Sequence, residues 1–442
     1  MTLTAMPKYE AYKDSGVEWI GDIPHHWQTI RFRNLFSFSK GLNITKDDLQ
    51  DDGIPCVNYG EVHSKFGFEL NPSKHKLKCV CENYLKNEKS LLFKGDFVFA
   101  DTSEDISGSG NFTQLISDDV TFAGYHTVIA RPIFNQSSRF LAYLFDSISY
   151  RNQIRSNVKG VKVFSITKSI LKDTWVWLPD ESEKIAIVNF LDKNTAKIDE
   201  AIAIKEQQIE RLKERKQILI QQALIQGLDP KVSMKDSGVA WIGKIPEHWQ
   251  VKRLKFVLDE RSERSLTGEE PLFMVSQQYG LVVRADYHEK AVVAASNIDS
   301  KIVYKNDLVF NKLKAHLGVF FKSNIDFKGI VSPDYAVYKI KDYISDTKIL
   351  ELLFRNPLYI EQFTIRATGI VEGLIRLYTS DLFDISIPIA PKEEQLEILA
   401  HIEKMSVLFD KAIEIHRDQC EKLKEYKTTL INSAVTGKIK VV

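Results

Sequence analysis

The chain has 442 residues, 44% of them hydrophobic and 27% charged, with 60 basic side chains against 59 acidic ones. That length exceeds a single ordinary core, so two or more domains are expected, and the composition is that of a folded chain rather than a disordered one. A formal net charge of +1 excludes a protein that grips nucleic acid through its whole surface; any positive face is local, or partners supply it. No apolar run approaches the roughly 20 residues of a membrane helix, and "MTLTAMPKYEAYKDSG" at the start has no apolar signal core. The four cysteines, Cys56, Cys79, Cys81 and Cys420, do not make a disulfide framework and fit a reducing compartment. A cytoplasmic protein without a membrane partner is expected.

The first element in chain order is "KDSGVEWIGDIPHHWQ" at 13–28, which returns as "KDSGVAWIGKIPEHWQ" at 235–250 with thirteen of sixteen positions identical. A spacing of 222 residues is far longer than the period of a solenoid repeat, so it marks a duplicated, domain-sized half. His26 and His248, each beside a tryptophan, have no serine or cysteine partner for nucleophilic work and read as a repeated structural junction.

The first middle segment contains "KGDFVF" (94–99), a strand-like run, followed by "ADTSEDISGSGNF" (100–112), which is rich in serine and threonine yet acidic at Asp101, Glu104 and Asp105. Ser107, Ser109 and Asn111 offer polar groups there, and "SNVKGVKVFSITK" (156–168) adds Lys159, Lys162 and Lys168. Cys79 and Cys81 are spaced C-x-C with only His75 near, which is not a tetrahedral metal set, so no metal site is expected.

A long helix follows. Ile198, Ile202, Ile209, Leu212, Leu219 and Ala223 fall on alternating steps of four and three, the seam of a coiled coil, interrupted at Lys205 and Lys216. Gly227 with Pro230 beyond it stops the helix. The second half repeats the seam with Phe409, Ile413, Cys420, Leu423, Leu430 and Ala434, interrupted at the equivalent His416 and Lys427, and Gly437 ends it. "RLKERKQILIQQALIQG" (211–227) and "KLKEYKTTLINSAVTGK" (422–438) align at an offset of 211, so the second half is eleven residues shorter in its middle. Either helix alone could be an ordinary amphipathic core helix. Two matched seams with polar breaks in register predict a mutual, antiparallel pair related by an internal pseudo-twofold axis, since polar seam residues fix alignment. Residues 198–223 correspond to about 40 Å of helix, close to the roughly 34–36 Å of one duplex turn. Such a spacer also fits protein or membrane targets.

The second middle segment repeats the strand frame as "KNDLVF" (305–310), so both middles are expected to share a fold despite low identity. Asn311, Lys312, Lys314 and His316 follow it in "FNKLKAH", and "TIRATGIVEGLIRLYTS" (364–380) adds Arg366 and Arg376. Any of these side chains could equally be a solvated charge or a loop cap. Boundaries are expected at 178/179, 229/230 and 388/389, giving head, helix, head, helix.

These residues together resemble a known family. "DSGVEWIGDIPHHW", "IPIAPKEEQLEIL" (387–399) with its weaker counterpart "VWLPDESEKIAIV" (176–188), and the endings "QQALIQGLDP" and "NSAVTGKI" are similar to the specificity (S) subunits of Type I restriction–modification enzymes, in that family's order across nearly the whole chain. The first half departs from the family's usual "PPxEEQ"-like pattern with Pro179-Asp180-Glu181-Ser182-Glu183-Lys184, which loosens the expected helix start. The resemblance implies an α/β (α+β) fold with two target-recognition domains, 1–178 and 230–388, separated by two long antiparallel coiled-coil helices, 179–229 and 389–442. It implies that each domain binds one half of a bipartite, asymmetric site in double-stranded DNA, and that the helices hold two methylation (M) and two restriction (R) subunits.

Under that reading Ser107, Ser109, Asn111, Lys159, Lys162, Lys168, Asn311, Lys312, Lys314, His316, Arg366 and Arg376 are the candidate DNA contacts, since base edges are read by side-chain donors and acceptors while phosphate contacts set position. The acidic 101–105 stretch either avoids phosphates or accepts from cytosine N4. The outer helix faces, with Glu206, Arg211, Glu214, Arg215, Glu414, Arg417, Glu421 and Glu425, and the duplicated W-I-G-x-I-P segments are the expected partner surfaces. Catalytic residues are not expected. "ISGSGNF" (106–112) lacks a convincing strand before it to be a nucleotide loop, and "SPDY" (332–335) carries Asp334 where an amino-methyltransferase motif needs a second proline. No phosphate-binding G-x-x-x-x-G-K-[ST] loop occurs, so the chain itself should need no cofactor, while partner subunits use S-adenosylmethionine, ATP and Mg. The competing reading is a two-headed scaffold that binds protein or single-stranded nucleic acid without a restriction system.

Overall fold

The structure, a computed structural model, describes residues 6–133, 137–160, 162–287, 297–369 and 376–441, with the backbone but not the side chains of 315 and 316. Two compact units emerge, Met1–Glu206 with Asp418–Val442, and Gln207–Arg417. The fold is mixed α+β. The units cut across the expected linear succession of head and helix, because each takes one head together with segments of both long helices. An amphipathic helix cannot bury its seam alone, so each head's core absorbs the helix segments beside it.

The first long helix runs Glu181–Gln226 and the second Lys392–Val435. The irregular Pro179-Asp180 start is a working N-cap: Asp180 Oδ1 accepts from the Glu183 backbone N–H at 2.9 Å and from Ser182 Oγ at 2.7 Å. The Ser182 hydroxyl, then the Glu183 amide, hold the Asp180 carboxyl below its ordinary range. Gly227 and Gly437 adopt φ of 77° and 71°, the left-handed turn that glycine supplies after a helix.

The seam reads as the heptads require. Ile198, Ile209, Ala223, Ile413, Cys420, Leu430 and Ala434 are buried, and Ile202, Leu212, Leu219, Phe409 and Leu423 are half-buried. The polar interruptions are paired. In the first unit Lys427 Nζ reaches both Asp199 oxygens at 2.7 Å, and Ile198 and Ile202 share a core with Leu423, Leu430 and Ala434. In the second unit Lys216 Nζ reaches both Asp410 oxygens at 2.8 Å, while Ala223 packs in one core with Ile398 and Ile402. Within the second unit, residue 216 lies beside 410 and Gly227 beside Glu394, so the helices run antiparallel. The two ion pairs are equivalent under the offset of 211, which carries Asp199 onto Asp410 and Lys216 onto Lys427.

Each head hangs on the same base. In the first, Gln28–Arg31 pairs antiparallel with Trp175–Leu178, and in the second Gln250–Arg253 pairs with Ser386–Ile389 in the matching register. The first head's main sheet orders its strands Phe36–Lys40, Thr127–Pro132, Phe97–Ala100, Phe112–Leu115 and Phe68–Leu70; the second head's orders Leu258–Glu260, Tyr335–Ile340, Leu308–Asn311 and Phe320–Lys322. The aromatic residues fill these cores: Phe32, Phe97, Phe99 and Phe112 in one, Phe310, Phe320, Tyr338 and Phe363 in the other, all nearly without exposure.

The shared "K-[GN]-D-[FL]-V-F" frame has a physical basis in its second and third positions. Gly95 and Asn306 both take positive φ, 93° and 69°, a conformation glycine and asparagine tolerate. The next residue, Asp96 or Asp307, is buried and caps the turn, accepting from the backbone N–H of Phe93 or Tyr304. Each is paired to a guanidinium: Asp96 to Arg131 at 2.8 Å, and Asp307 to Arg261 at 2.8 Å. Arg131 belongs to the strand Thr127–Pro132, whereas Arg261 lies just past the end of Leu258–Glu260.

Candidate nucleic-acid interface

The duplicated opening phrase meets the helix start. Trp27, with no exposure, donates its Nε1–H to Glu183 Oε2 at 3.0 Å, and His26 Nε2 lies 2.9 Å from the same oxygen. Tyr9 donates its hydroxyl to Glu183 Oε1. In the other copy Trp249 Nε1 lies 3.0 Å, and His248 Nε2 2.7 Å, from Glu394 Oε2. A carboxylate whose lone pairs are occupied by an indole and an imidazole is a joint, not a catalytic base. Gly437 closes the first joint against Pro24 and Trp27, and Gly227 closes the second against Trp249. Among the described residues no group of three or more His, Cys, Asp or Glu could hold a metal ion, and no helix is long and apolar enough to cross a membrane.

The polar groups away from these joints gather where the main sheets end. After Phe97–Ala100 the chain turns at Asp101, whose carbonyl accepts from Ile166 N–H at 2.8 Å; after Leu308–Asn311 it turns at Lys312, whose carbonyl accepts from Leu377 N–H at 3.1 Å. Strand register sets Thr127 opposite Ala100 and Tyr335 opposite Asn311. The two tips are therefore superposable position by position: Asp101 with Lys312, His126 with Asp334, Ser165 with Arg376.

In the first tip the candidates separate. Ser107 is exposed and bonded to Asp105 Oδ1 at 2.5 Å, while Ser109 has no exposed surface and so offers nothing to a ligand in this conformation. Asn111 is half-buried and engaged on both ends, with Nδ2 3.0 Å from His63 Nδ1 and Oδ1 accepting from Arg151 Nη1 at 2.5 Å. The glycines of "ISGSGNF" serve packing: a Cβ on Gly108 would meet His63 at 2.3 Å. The Ser107 hydroxyl and then the Gly108 amide hold the Asp105 carboxyl low. Lys159 and Lys162 are exposed. Lys168 is half-buried, and burial followed by Lys40 and Lys172 lowers its pKa, the mark of a local basic cluster.

In the second tip Lys314 is exposed, and the His316 side chain lies outside the described residues. Asn311 accepts from the Leu313 N–H at 3.0 Å, a turn-capping role. Lys312 is drawn to Glu260 at 3.4 Å, beside Lys301 at 3.2 Å. Burial alone would raise the Glu260 pKa, but the bond from Thr379 and the charges of Lys312 and Lys301 bring it below its ordinary value. Arg366 is folded back on Gln362 at 2.6 Å, and Arg376 reaches Asp334 at 2.7 Å. Sequence reading missed Arg151, Arg155, His63 and His126 as members of the first tip. None stands in a motif, and only the pairing of strands brings them together.

The outer helix positions Glu206, Arg211, Glu214, Arg215, Glu414, Arg417, Glu421 and Glu425 are all exposed. Beside them within the second unit lies an open groove of about 1600 Å³, whose lining includes Lys213, Arg355, Leu396, Val407 and Arg417.

Residues 24–214 match the family model described as the Type I restriction modification DNA specificity domain. The MjaVIII type I restriction enzyme specificity subunit of Methanocaldococcus jannaschii is 25% identical over 441 residues, covering 95% of this chain and 94% of that protein. The EcoKI specificity subunit of Escherichia coli is 22% identical, covering 88% and 84%. A chain solved in work on complex assembly and conformational transition of the type I R-M system shares the fold, with a TM-score of 0.63 at 15% identity over 93% of this chain and 98% of that one. Duplicated joints, matched tips and relatives that align nearly from end to end make the chain similar to the DNA-specificity subunits of type I restriction–modification systems.

Proposed function

We propose that this chain is a non-catalytic reader of a split, asymmetric DNA site. Each head takes one half-site in duplex DNA, and the long helices set the spacing between the halves and hold two methylation and two restriction subunits. Adenine methylation and ATP-driven cleavage then belong to those partners, which bring S-adenosylmethionine, ATP and Mg; this chain needs no cofactor of its own. The observation that carries this reading is the contrast between base and tip. The joints and the strand frame share their tryptophan–carboxylate and aspartate-capped hydrogen bonds in both units, whereas equivalent tip positions hold different polar groups. Heads that keep a common base and differ at their tips are what two different half-sites require. Exposed Ser107, Lys159, Lys162 and Lys314 supply phosphate or base contacts, and the groove with Leu396 and Val407 suits a protein partner's apolar side chains framed by charge.

The test is co-expression with an adenine methyltransferase subunit and the restriction subunit, followed by co-purification and by duplex binding over a salt series. The expected result is a stable complex whose log K falls linearly with log salt. A chain that joins no methyltransferase and binds no duplex at any salt is a two-headed scaffold instead.

A further inference from the structure

The two heads hold two kinds of pair between an aspartate and a basic side chain. Asp96–Arg131 and Asp307–Arg261 are buried at the carboxylate, with Asp96 at 2% and Asp307 at 4% side-chain exposure, and they sit at the same frame position in both heads. Those pairs hold the sheet. The other two are exposed. His126 Nδ1 lies 3.1 Å from Asp101, with side chains 58% and 34% exposed, and Arg376 lies 2.7 Å from Asp334, 34% and 60% exposed. Exposed pairs contribute little to stability, so folding does not account for their presence in both heads.

Their placement is systematic. His126 and Asp334 are the same position, the last residue of the loop before Thr127–Pro132 in one head and Tyr335–Ile340 in the other. That loop residue finds its partner on one flank in the first head, at Asp101, and on the opposite flank in the second, at Arg376. The flanking position left over is occupied elsewhere. Ser165 pairs along the backbone with Thr102, and Lys312 is bound to Glu260. The loop position carries an imidazole in one head and a carboxylate in the other. His126 also holds φ of 56° while exposed, a sparsely populated conformation of the kind found at functional sites, and its ring lies 5.8 Å from Tyr59 and 6.0 Å from Tyr125.

We propose that these exposed pairs, His126 with Asp101 and Asp334 with Arg376, each read one G·C base pair of a half-site in the major groove. Arg376 presents a fork that matches guanine O6 and N7, and Asp334 beside it accepts from the cytosine N4 amino group; in the first head His126 donates to the guanine and Asp101 accepts from cytosine N4. In free protein each pair satisfies itself and is held in mutual orientation; on DNA each member trades its partner for a base edge. This assignment rests on the DNA-reading function proposed above.

The experiment is methylation mapping, by single-molecule sequencing, of host DNA from cells carrying the full chain with its methylation subunits. Arg376→Lys and Asp334→Asn are expected to relax one base pair of one half-site, with discrimination falling on the order of 10- to 100-fold, and to leave the other half-site intact. Asp101→Asn and His126→Gln should relax one base pair of the other half-site. Melting curves of all four should match the parent, since the pairs are exposed. An unchanged motif, or loss of methylation spread evenly over all bases with unchanged melting, overturns the assignment. A parent chain that yields no split motif at all sinks the DNA-reading function itself, and this assignment with it.

Discussion

Replacing Glu183 with alanine leaves the Trp27 indole N–H without a partner in a site that has no exposure, and also strands the Tyr9 hydroxyl. A hydrogen bond to a charged acceptor contributes about 1.5–3 kcal/mol, and a buried donor left unmade keeps its desolvation cost. His26 is 51% exposed and adds little. The expected loss is about 3 kcal/mol. Glu394→Ala is the internal control. Trp249 makes the same bond, yet Glu394 is 24% exposed against 9% for Glu183, and the residue equivalent to Tyr9 is Lys231, which brings no phenol. About half the loss is expected there. For a unit of this size each kcal/mol moves Tm by about 2–4 °C, so the first unit's transition should fall by about 6–12 °C and the second unit's by about half that. Thermal unfolding of the full chain, followed by near-ultraviolet dichroism and resolved into two transitions, makes the measurement, with Tyr9→Phe recovering part of the difference. Equal shifts, or a larger one for Glu394→Ala, would show that the carboxylate joint is not what holds opening phrase to helix.

Five further outcomes are expected. Gly437→Ala places a Cβ 2.4 Å from Pro24 at a φ of 71°, whereas Gly16→Ala, at a φ of 72°, meets nothing within 4 Å; the first should cost several-fold more than the roughly 1 kcal/mol of the second, read from urea midpoints. Lys216 with Asp410 is a partly exposed pair, so a double-mutant cycle with alanine should give a coupling below about 1 kcal/mol, and a larger value would make the seam break a stabiliser rather than an alignment device. Burial pushes the Cys56 thiol up to about 12, while Cys81 is exposed, so alkylation at pH 8 followed by mass spectrometry should label Cys81 well before Cys56. Because Cys56 keeps its proton in the folded state above the pH where the unfolded thiol, near 9, has lost it, stability falls as pH rises from about 9 toward 12; Cys56→Ala should flatten that slope. Inserting one heptad into each long helix adds about 10 Å, and methylation mapping should show the half-sites about three base pairs further apart with their base identities unchanged.

The charged candidates show why single residues were hard to read in advance. Asn111, Arg366 and Lys312 looked like free donors in one dimension, yet each is engaged by a partner: Arg151 from the helix at 148–155, Gln362 one turn earlier on the same helix, and Glu260 from the first strand of the sheet. Asp334 stood in the sequence as the residue that spoiled a methyltransferase motif, and it lies at the same tip position as His126. The offset of 211 already aligned Asp101 with Lys312; it could not say which neighbour each tip residue would face.

What the sequence by itself determined is everything that repeats: the duplication, the two helices and their polar breaks, and the strand frame with its glycine or asparagine turn. Those features follow from local periodicity and backbone preference, which act over a few residues and are written into the chain directly. Only the tertiary structure decided that each compact unit draws on both helices, that Glu183 and Glu394 clasp the tryptophans of the opening phrases, and which tip side chains stay exposed. Those outcomes depend on contacts between residues 25 to 156 positions apart, where burial and hydrogen-bond satisfaction choose among partners that no local pattern ranks.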